Sequence, residues 1–99
     1  MLNEVPTCSI GDEQFRLFYA AYYNDIILMQ RLNIMGWSVN AYDYDGRTAL
    51  GVAASQGNLE GVKYLVSHGA NPFHKDFRGN NAFDDAKREN HREILEYLE

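Results

Sequence analysis

Apolar residues fall along this chain in clusters about one short helix long. Phe15, Leu17, Phe18, Ala20 and Ala21 form the first, and Ile26, Met29, Leu32 and Ile34 the second. Ala49, Leu50, Ala53 and Ala54 are followed in the same way by Leu59, Val62, Tyr64, Leu65 and Val66. Ala82, Phe83 and Ala86 are followed by Ile94, Leu95, Tyr97 and Leu98. Spacings of three and four within each cluster predict amphipathic helices, and the helices come in pairs. The pairs repeat: Asp43-Tyr-Asp-Gly-Arg-Thr-Ala-Leu50 recurs as Asp76-Phe-Arg-Gly-Asn-Asn-Ala-Phe83, at a fixed offset of 33 positions. The same step back carries Leu50 to Leu17, Ala53 to Ala20, Gly57 to Asn24, Leu65 to Leu32 and Gly69 to Gly36. Self-similarity at this period predicts an all-α solenoid of three helix-turn-helix units, each needing its neighbours to bury its apolar face. The expected limits are an extension or linker over 1–11 and units at about 12–42, 43–75 and 76–99.

Polar residues and glycines punctuate the pattern. Asp12, Thr48 and Asn81 stand where a side-chain oxygen caps the free amides of a helix start. Asn24, Gly57 and Asn90 share one repeat position, and all three are residue types that enter positive φ at low cost, as a tight turn between paired helices requires. Gly36 and Gly69 close the second helix of their units, Asp45-Gly46 marks a turn in the loop over 37–46, and Pro72 blocks continuation of the preceding helix. Arg92, Glu93, Glu96 and Glu99 alternate with apolar residues, the pattern of a wet end unit.

Composition narrows the function. With 99 residues, of which 45% are hydrophobic and 13% aromatic, the chain makes one domain. A domain of this size buries roughly 60 to 70% of its unfolded surface without metals or disulfides. A net charge of −5 and nine dispersed Lys and Arg oppose the phosphate backbone, so nucleic acid is not an expected partner. No apolar run approaches a membrane span of about 20 residues. The segment 1–10 lacks the basic start and apolar centre of a secretory signal. Cys8 is the single cysteine and has no internal partner.

Asp43, Gly46, Thr48, Leu50, Ala53, Ala54 and Gly57 match the string D-x-x-G-x-T-P-L-H-x-A-A-x-x-G. The second unit thereby resembles the ankyrin repeat, which implies an ankyrin-repeat solenoid used for protein recognition. The match departs where that repeat has Pro and His: Ala49 and Gly51 stand there in the second unit, Ala82 and Asp84 in the third. The histidine that ties neighbouring loops is thus missing, which implies lower stability than a consensus array. A further set of residues is similar to the C-terminal ankyrin segment of animal-type glutaminases: Leu17-Phe-Tyr-Ala-Ala-Tyr22, Asp43-Tyr-Asp45, Arg47-Thr-Ala-Leu50, Val62-Lys63, Asn71-Pro-Phe73, Lys75-Asp76 and Asp84-Asp-Ala86. Asn-Pro-Phe-x-Lys-Asp carries most of that likeness, because the generic repeat does not call for it. Ankyrin segments of bacterial asparaginases and plant potassium channels contain strings like Asp-Tyr-Asp-Gly-Arg-Thr-Ala-Leu as well.

The glutaminase resemblance implies a parent that hydrolyses L-glutamine to L-glutamate and ammonia through a Ser-x-x-Lys nucleophile, and that works in mitochondria. That motif is not found here: Ser9, Ser38, Ser55 and Ser67 are followed at that distance by Asp12, Ala41, Asn58 and Ala70. The chain by itself is therefore expected to be no enzyme, with no catalytic residues, cofactor or small-molecule substrate. Asp43-Tyr-Asp45-Gly46 invites a calcium reading, yet with Gly46 sixth in the loop the first position would be Ala41 and the twelfth Val52, neither of them a ligand. His68, His74 and His91 match no metal-ligand spacing, so they are expected to be structural. Asn71-Pro-Phe73, also a motif of endocytic recognition, is expected to be packed after a helix stop. Asp84 and Asp85 point about 100° apart on a helix and cannot share one substrate atom, so a solvated face is expected for them.

Aromatic residues are many for so small a stack. Those in the loops between units are the interface candidates, namely Trp37, Tyr42, Tyr44 and Phe77 with Arg47 and Arg78 nearby. The expected partner is a protein, either the glutaminase catalytic domain, another copy of the chain, or a third protein, and not a membrane. A start methionine and a polar last helix fit instead a free-standing small ankyrin adaptor of the cytoplasm.

Overall fold

The computed structural model describes residues 15–36 and 38–99. Six helices follow one another: α1 (Phe15–Tyr23), α2 (Ile26–Ile34), α3 (Ala49–Gln56), α4 (Leu59–Ser67), α5 (Ala82–Arg88) and α6 (Arg92–Leu98). They form two layers, because α1 packs on α3 and α3 on α5, while α2 packs on α4 and α4 on α6. Each pair is closed by α1 on α2, α3 on α4 and α5 on α6, giving an all-α solenoid.

Local chemistry sets the helix ends. The Thr48 hydroxyl accepts from the Gly51 amide at 3.4 Å, starting α3. Asn81 and Asp84 cap α5 reciprocally: each side chain accepts from the other's backbone N–H at 3.0 Å. Asp25 caps α2 by accepting from the Leu28 amide. Asn24, Gly57 and Asn90 have φ of 58°, 78° and 62°, so one left-handed residue reverses the chain within every pair. The Asp12 cap predicted for α1 lies outside the described residues.

Alanine lets the layers approach closely. Ala20, Ala21, Ala49, Ala53, Ala54 and Ala86 are wholly buried between inner helices, and Leu50, Met29, Leu32, Val62, Leu65 and Ile94 fill the space towards the outer layer. The unit-to-unit seam also carries polar ties. Asn58 donates from its amide to the carbonyls of Ala21 and Tyr22 at 2.7 and 2.8 Å. His91, one repeat later, hydrogen-bonds through Nε2 to the carbonyl of Ser55 at 3.0 Å.

Three expectations change. Phe15 and Ile34, placed by pattern on buried faces, are exposed: no described unit lies against Phe15, and Ile34, 84% exposed, ends α2 at the position where Ser67 of the middle unit is exposed too. Phe73 is 66% exposed and rests on the Phe83 ring at 5.5 Å, while Asn71 Oδ1 accepts from its amide. Asp85 does not lie on a solvated face: it is 3% exposed beneath the loop. Asp84 beside it is exposed, as the angle between adjacent helix positions requires.

Candidate protein-interaction site

The two loops between units end in matching turns. In the first, Asp43 Oδ1 accepts from the amides of Asp45 and Arg47, and the Gly46 amide donates to the Asp43 carbonyl at 2.9 Å. In the second, Asp76 Oδ1 accepts from Arg78 and Asn80, and Gly79 donates to the Asp76 carbonyl, also at 2.9 Å. Each aspartate thus folds its own turn, the use expected of Asp in place of calcium ligation. The turns are tied to each other by the Phe77 amide on the Asp45 carbonyl at 2.9 Å and by His74 Nε2 on the Gly46 carbonyl at 3.0 Å. The loop-to-loop role left open at Gly51 and Asp84 is therefore filled from another position.

Five of the six sequence candidates sit on these turns. Tyr44 and Phe77 occupy equivalent tip positions and are exposed. Phe77 lies flat on Gly46, leaving no room there for a side chain: an added Cβ would stand 2.7 Å from its ring. Tyr42 is turned inward, stacked on His74 at 5.9 Å and edge-on to Phe77 at 6.4 Å. Arg47 and Arg78 line one cavity of about 320 Å³ with Asp45, Asp76, Asp85 and Arg88. Trp37 lies outside the described residues.

Asp85 and Arg88 are contributions that the sequence reading missed. Burial pushes the Asp85 carboxyl above the ordinary carboxylate value, with Arg88 at 3.0 Å partly offsetting the cost. Hydrogen bonds to Glu89 and Asp85 push the Arg88 guanidinium up. The i, i+3 spacing of Asp85 and Arg88 is the one sequence signal that points to this pair.

The second missed group is the outward side of α1. Tyr19, Tyr22 and Tyr23 are exposed, with ring centroids 4.7 Å apart for Tyr19–Tyr23 and 4.9 Å for Tyr22–Tyr23. Phe15 stacks at 6.4 Å on Tyr44, joining this shelf to the first loop tip. Between the shelf and α3 opens a second cavity of about 370 Å³, with Phe18, Val52 and Arg47 in its wall. Five aromatics in nine helical residues exceed what one buried side can hold, which is the signal available in the sequence.

The Ser55 hydroxyl is engaged with the Val52 carbonyl and Arg47, and the ring nitrogens of His68, His74 and His91 meet backbone carbonyls. Among the described residues no group of three His, Cys, Asp or Glu is placed to hold a metal ion, and no helix is long and apolar enough to cross a membrane.

The family model for ankyrin repeats, in three copies, matches residues 17–99. The chain belongs to the ankyrin-repeat family. An ankyrin-repeat domain is a non-catalytic protein-interaction module. The chain is 42% identical over 84 residues to the mitochondrial liver isoform of glutaminase from Mus musculus, covering 84% of this chain and 14% of that protein. It is 36% identical over 89 residues to a putative glutaminase 3 of Caenorhabditis elegans, covering 89% of this chain and 15% of the relative. It therefore spans about one seventh of the length of these glutaminases. A Notch-regulated ankyrin repeat-containing protein of Xenopus laevis is 34% identical over 100 aligned positions, covering 96% of this chain and 87% of that relative.

Proposed function

We propose that this ankyrin-repeat chain acts as the non-catalytic C-terminal interaction domain of a glutaminase, in a mitochondrial protein whose other domain hydrolyses L-glutamine to L-glutamate and ammonia. The observation that carries the reading is the 42% identity to a glutaminase over 84 residues, beside the string Asn71-Pro-Phe-His-Lys-Asp76, which the ankyrin pattern does not require. The domain contributes contacts: between subunits, with the catalytic domain, or with a recruited protein. Its contact surface runs over the loop tips, with Tyr44, Arg47, Phe77 and Arg78 foremost and Tyr42 supporting Phe77 from below.

Immunocapture of the native product from its source cells, followed by assay for glutamate formed from glutamine, tests the assignment. Captured activity identifies the parent as a glutaminase. Captured protein that is inactive and migrates near 11.4 kDa refutes it. That second result supports the other reading, a free-standing cytoplasmic ankyrin adaptor, which the match along most of the Notch-regulated relative favours. The tip surface has its own test, because partner binding that survives Tyr44→Ala and Phe77→Ala together refutes its placement.

A further inference from the structure

We infer that the Asp45–Gly46 peptide is a modification site: the Asp45 carboxyl converts it to an isoaspartyl linkage, at a rate that docking of the third unit holds down. Nothing in the step depends on which parent protein the chain serves, because the only co-reactant is water.

An aspartate followed by glycine carries both reacting groups in adjacent residues. The Gly46 nitrogen attacks Asp45 Cγ; the N–Cγ bond forms, one carboxyl oxygen leaves as water with the amide proton, and a five-membered succinimide results. Water then opens the ring. Opening at Cγ restores aspartate, whereas opening at the main-chain carbonyl sends the chain through Cβ and Cγ and leaves that carbonyl as a free carboxylate. Glycine favours the attack, since no Cβ shields its nitrogen and its backbone turns easily. Asp45–Gly46 is the single Asp-Gly step in the chain. Asp43 and Asp76, which fold the two turns, precede Tyr44 and Phe77, while the counterpart of Asp45 in the second turn is Arg78, which has no carboxyl to offer.

The side chain can move but the peptide is held. Asp45 is exposed, and its hydrogen bonds in the turn run through its backbone amide and carbonyl. The Gly46 amide donates to the Asp43 carbonyl at 2.9 Å, the Asp45 carbonyl accepts from the Phe77 amide at 2.9 Å, and the Gly46 carbonyl meets His74 Nε2 at 3.0 Å. Gly46 is buried, with the Phe77 ring so near that an added Cβ would stand 2.7 Å from it. Attack requires the peptide to rotate and the nitrogen to give up the proton it shares with Asp43, so each of these contacts opposes the reactive geometry. Two of them, the amide and the ring of Phe77, belong to the third unit, which packs on the middle pair from one end of the stack. End units open first, and each opening releases the Asp45–Gly46 peptide. The product keeps the seam loose. An isoaspartyl linkage adds one carbon to the main chain and removes from it the carbonyl that the Phe77 amide uses, so the tie between the turns does not re-form.

Incubation of the 99-residue chain in warm neutral buffer, followed by trypsin and electron-transfer fragmentation of the peptide over 32–47, measures the two linkages at Asp43 and Asp45 separately. Isoaspartate is expected at Asp45, forming at least tenfold more slowly in the folded chain than in the same chain unfolded by urea. Phe77→Ala should raise the folded rate at least threefold. Ile94→Val, a milder loosening of α6 away from the turn, should raise it at least twofold and keeps the test in hand should Phe77→Ala fail to fold, which circular dichroism decides. A folded chain that converts as fast as the unfolded one overturns the inference, as do folded variants that convert no faster than the native chain. Equal conversion at Asp43 and Asp45, or no isoaspartate even in urea, overturns it as well.

Discussion

Gly51 offers a test of how the seam between the second and third units is built. Glycine inside a helix costs about 1 kcal/mol relative to alanine, so Gly51→Ala in α3 would ordinarily stabilise by that amount. Here an added Cβ would stand 3.1 Å from Asp85 Oδ2, closer than ordinary carbon–oxygen contact, and 3.9 Å from Thr48 Oγ1. The carboxylate has little freedom to retreat, since it is buried and held at 3.0 Å by Arg88. A hydrogen bond to a charged group is worth about 1.5 to 3 kcal/mol, and stretching part of that cancels or exceeds the helix gain. Gly51→Ala is therefore expected to be neutral or destabilising by about 1 kcal/mol. In an Asp85→Ala background the obstruction disappears, and the same change should stabilise by about 1 kcal/mol. The two effects imply a coupling of about 1 to 2 kcal/mol, the size found for residues in contact. Urea unfolding followed by circular dichroism on the four proteins of this cycle measures it. An equal stabilisation by Gly51→Ala in both backgrounds would refute the reasoning, since the carboxylate would then be free to move.

Further outcomes follow from the same seams. Leu50→Ala, at a fully buried site, should cost about 2 to 5 kcal/mol, whereas Ile34→Ala at an exposed one should change stability by less than about 0.5 kcal/mol; similar costs in urea melts would contradict the assigned core. Asn58→Ala removes two unit-to-unit hydrogen bonds and His91→Ala removes one, so the first should cost about 1 to 3 kcal/mol and more than the second. Asp85 also gives a sign for pH: its carboxyl is raised above the ordinary 3.8, so the folded chain holds that proton more readily than the unfolded chain does. The stability of the native protein minus that of Asp85→Asn should fall as pH rises from 3.8 through the raised value and then level off; a difference that grows with pH in that window would be the wrong sign.

Much of the architecture was readable in the residues because it depends on positions fixed by backbone geometry. Asn24, Gly57 and Asn90 share a repeat position, and all three have positive φ. Thr48 and Asn81 cap the helices they precede. The misreadings have physical causes. Asp85 is buried against the preceding unit, with its carboxylate beside Gly51 of another helix, and a run of two aspartates carries no trace of that neighbour. The rings of α1 count as apolar in any periodic pattern, but burial of their outer side needs a unit against it, and none is present among the described residues. Of the candidate surface, Tyr44 and Phe77 could be read from their place in turns. The surroundings of Arg47 could not, because Asp76 and Asp85, which share its cavity, come from the next unit.

Among the described residues, the middle pair of helices is the main link between the outer two. The pair α1 and α2 packs on α3 and α4, as do α5 and α6, and there is no comparable contact from the first pair to the third. Local opening should therefore begin at the ends, with α6 and α5 able to detach while the first two pairs stay docked. Amide hydrogens of α3 and α4 should exchange last, since freeing them requires both seams to part. A ligand held against α1 and α3 would brace one seam and leave the other to breathe.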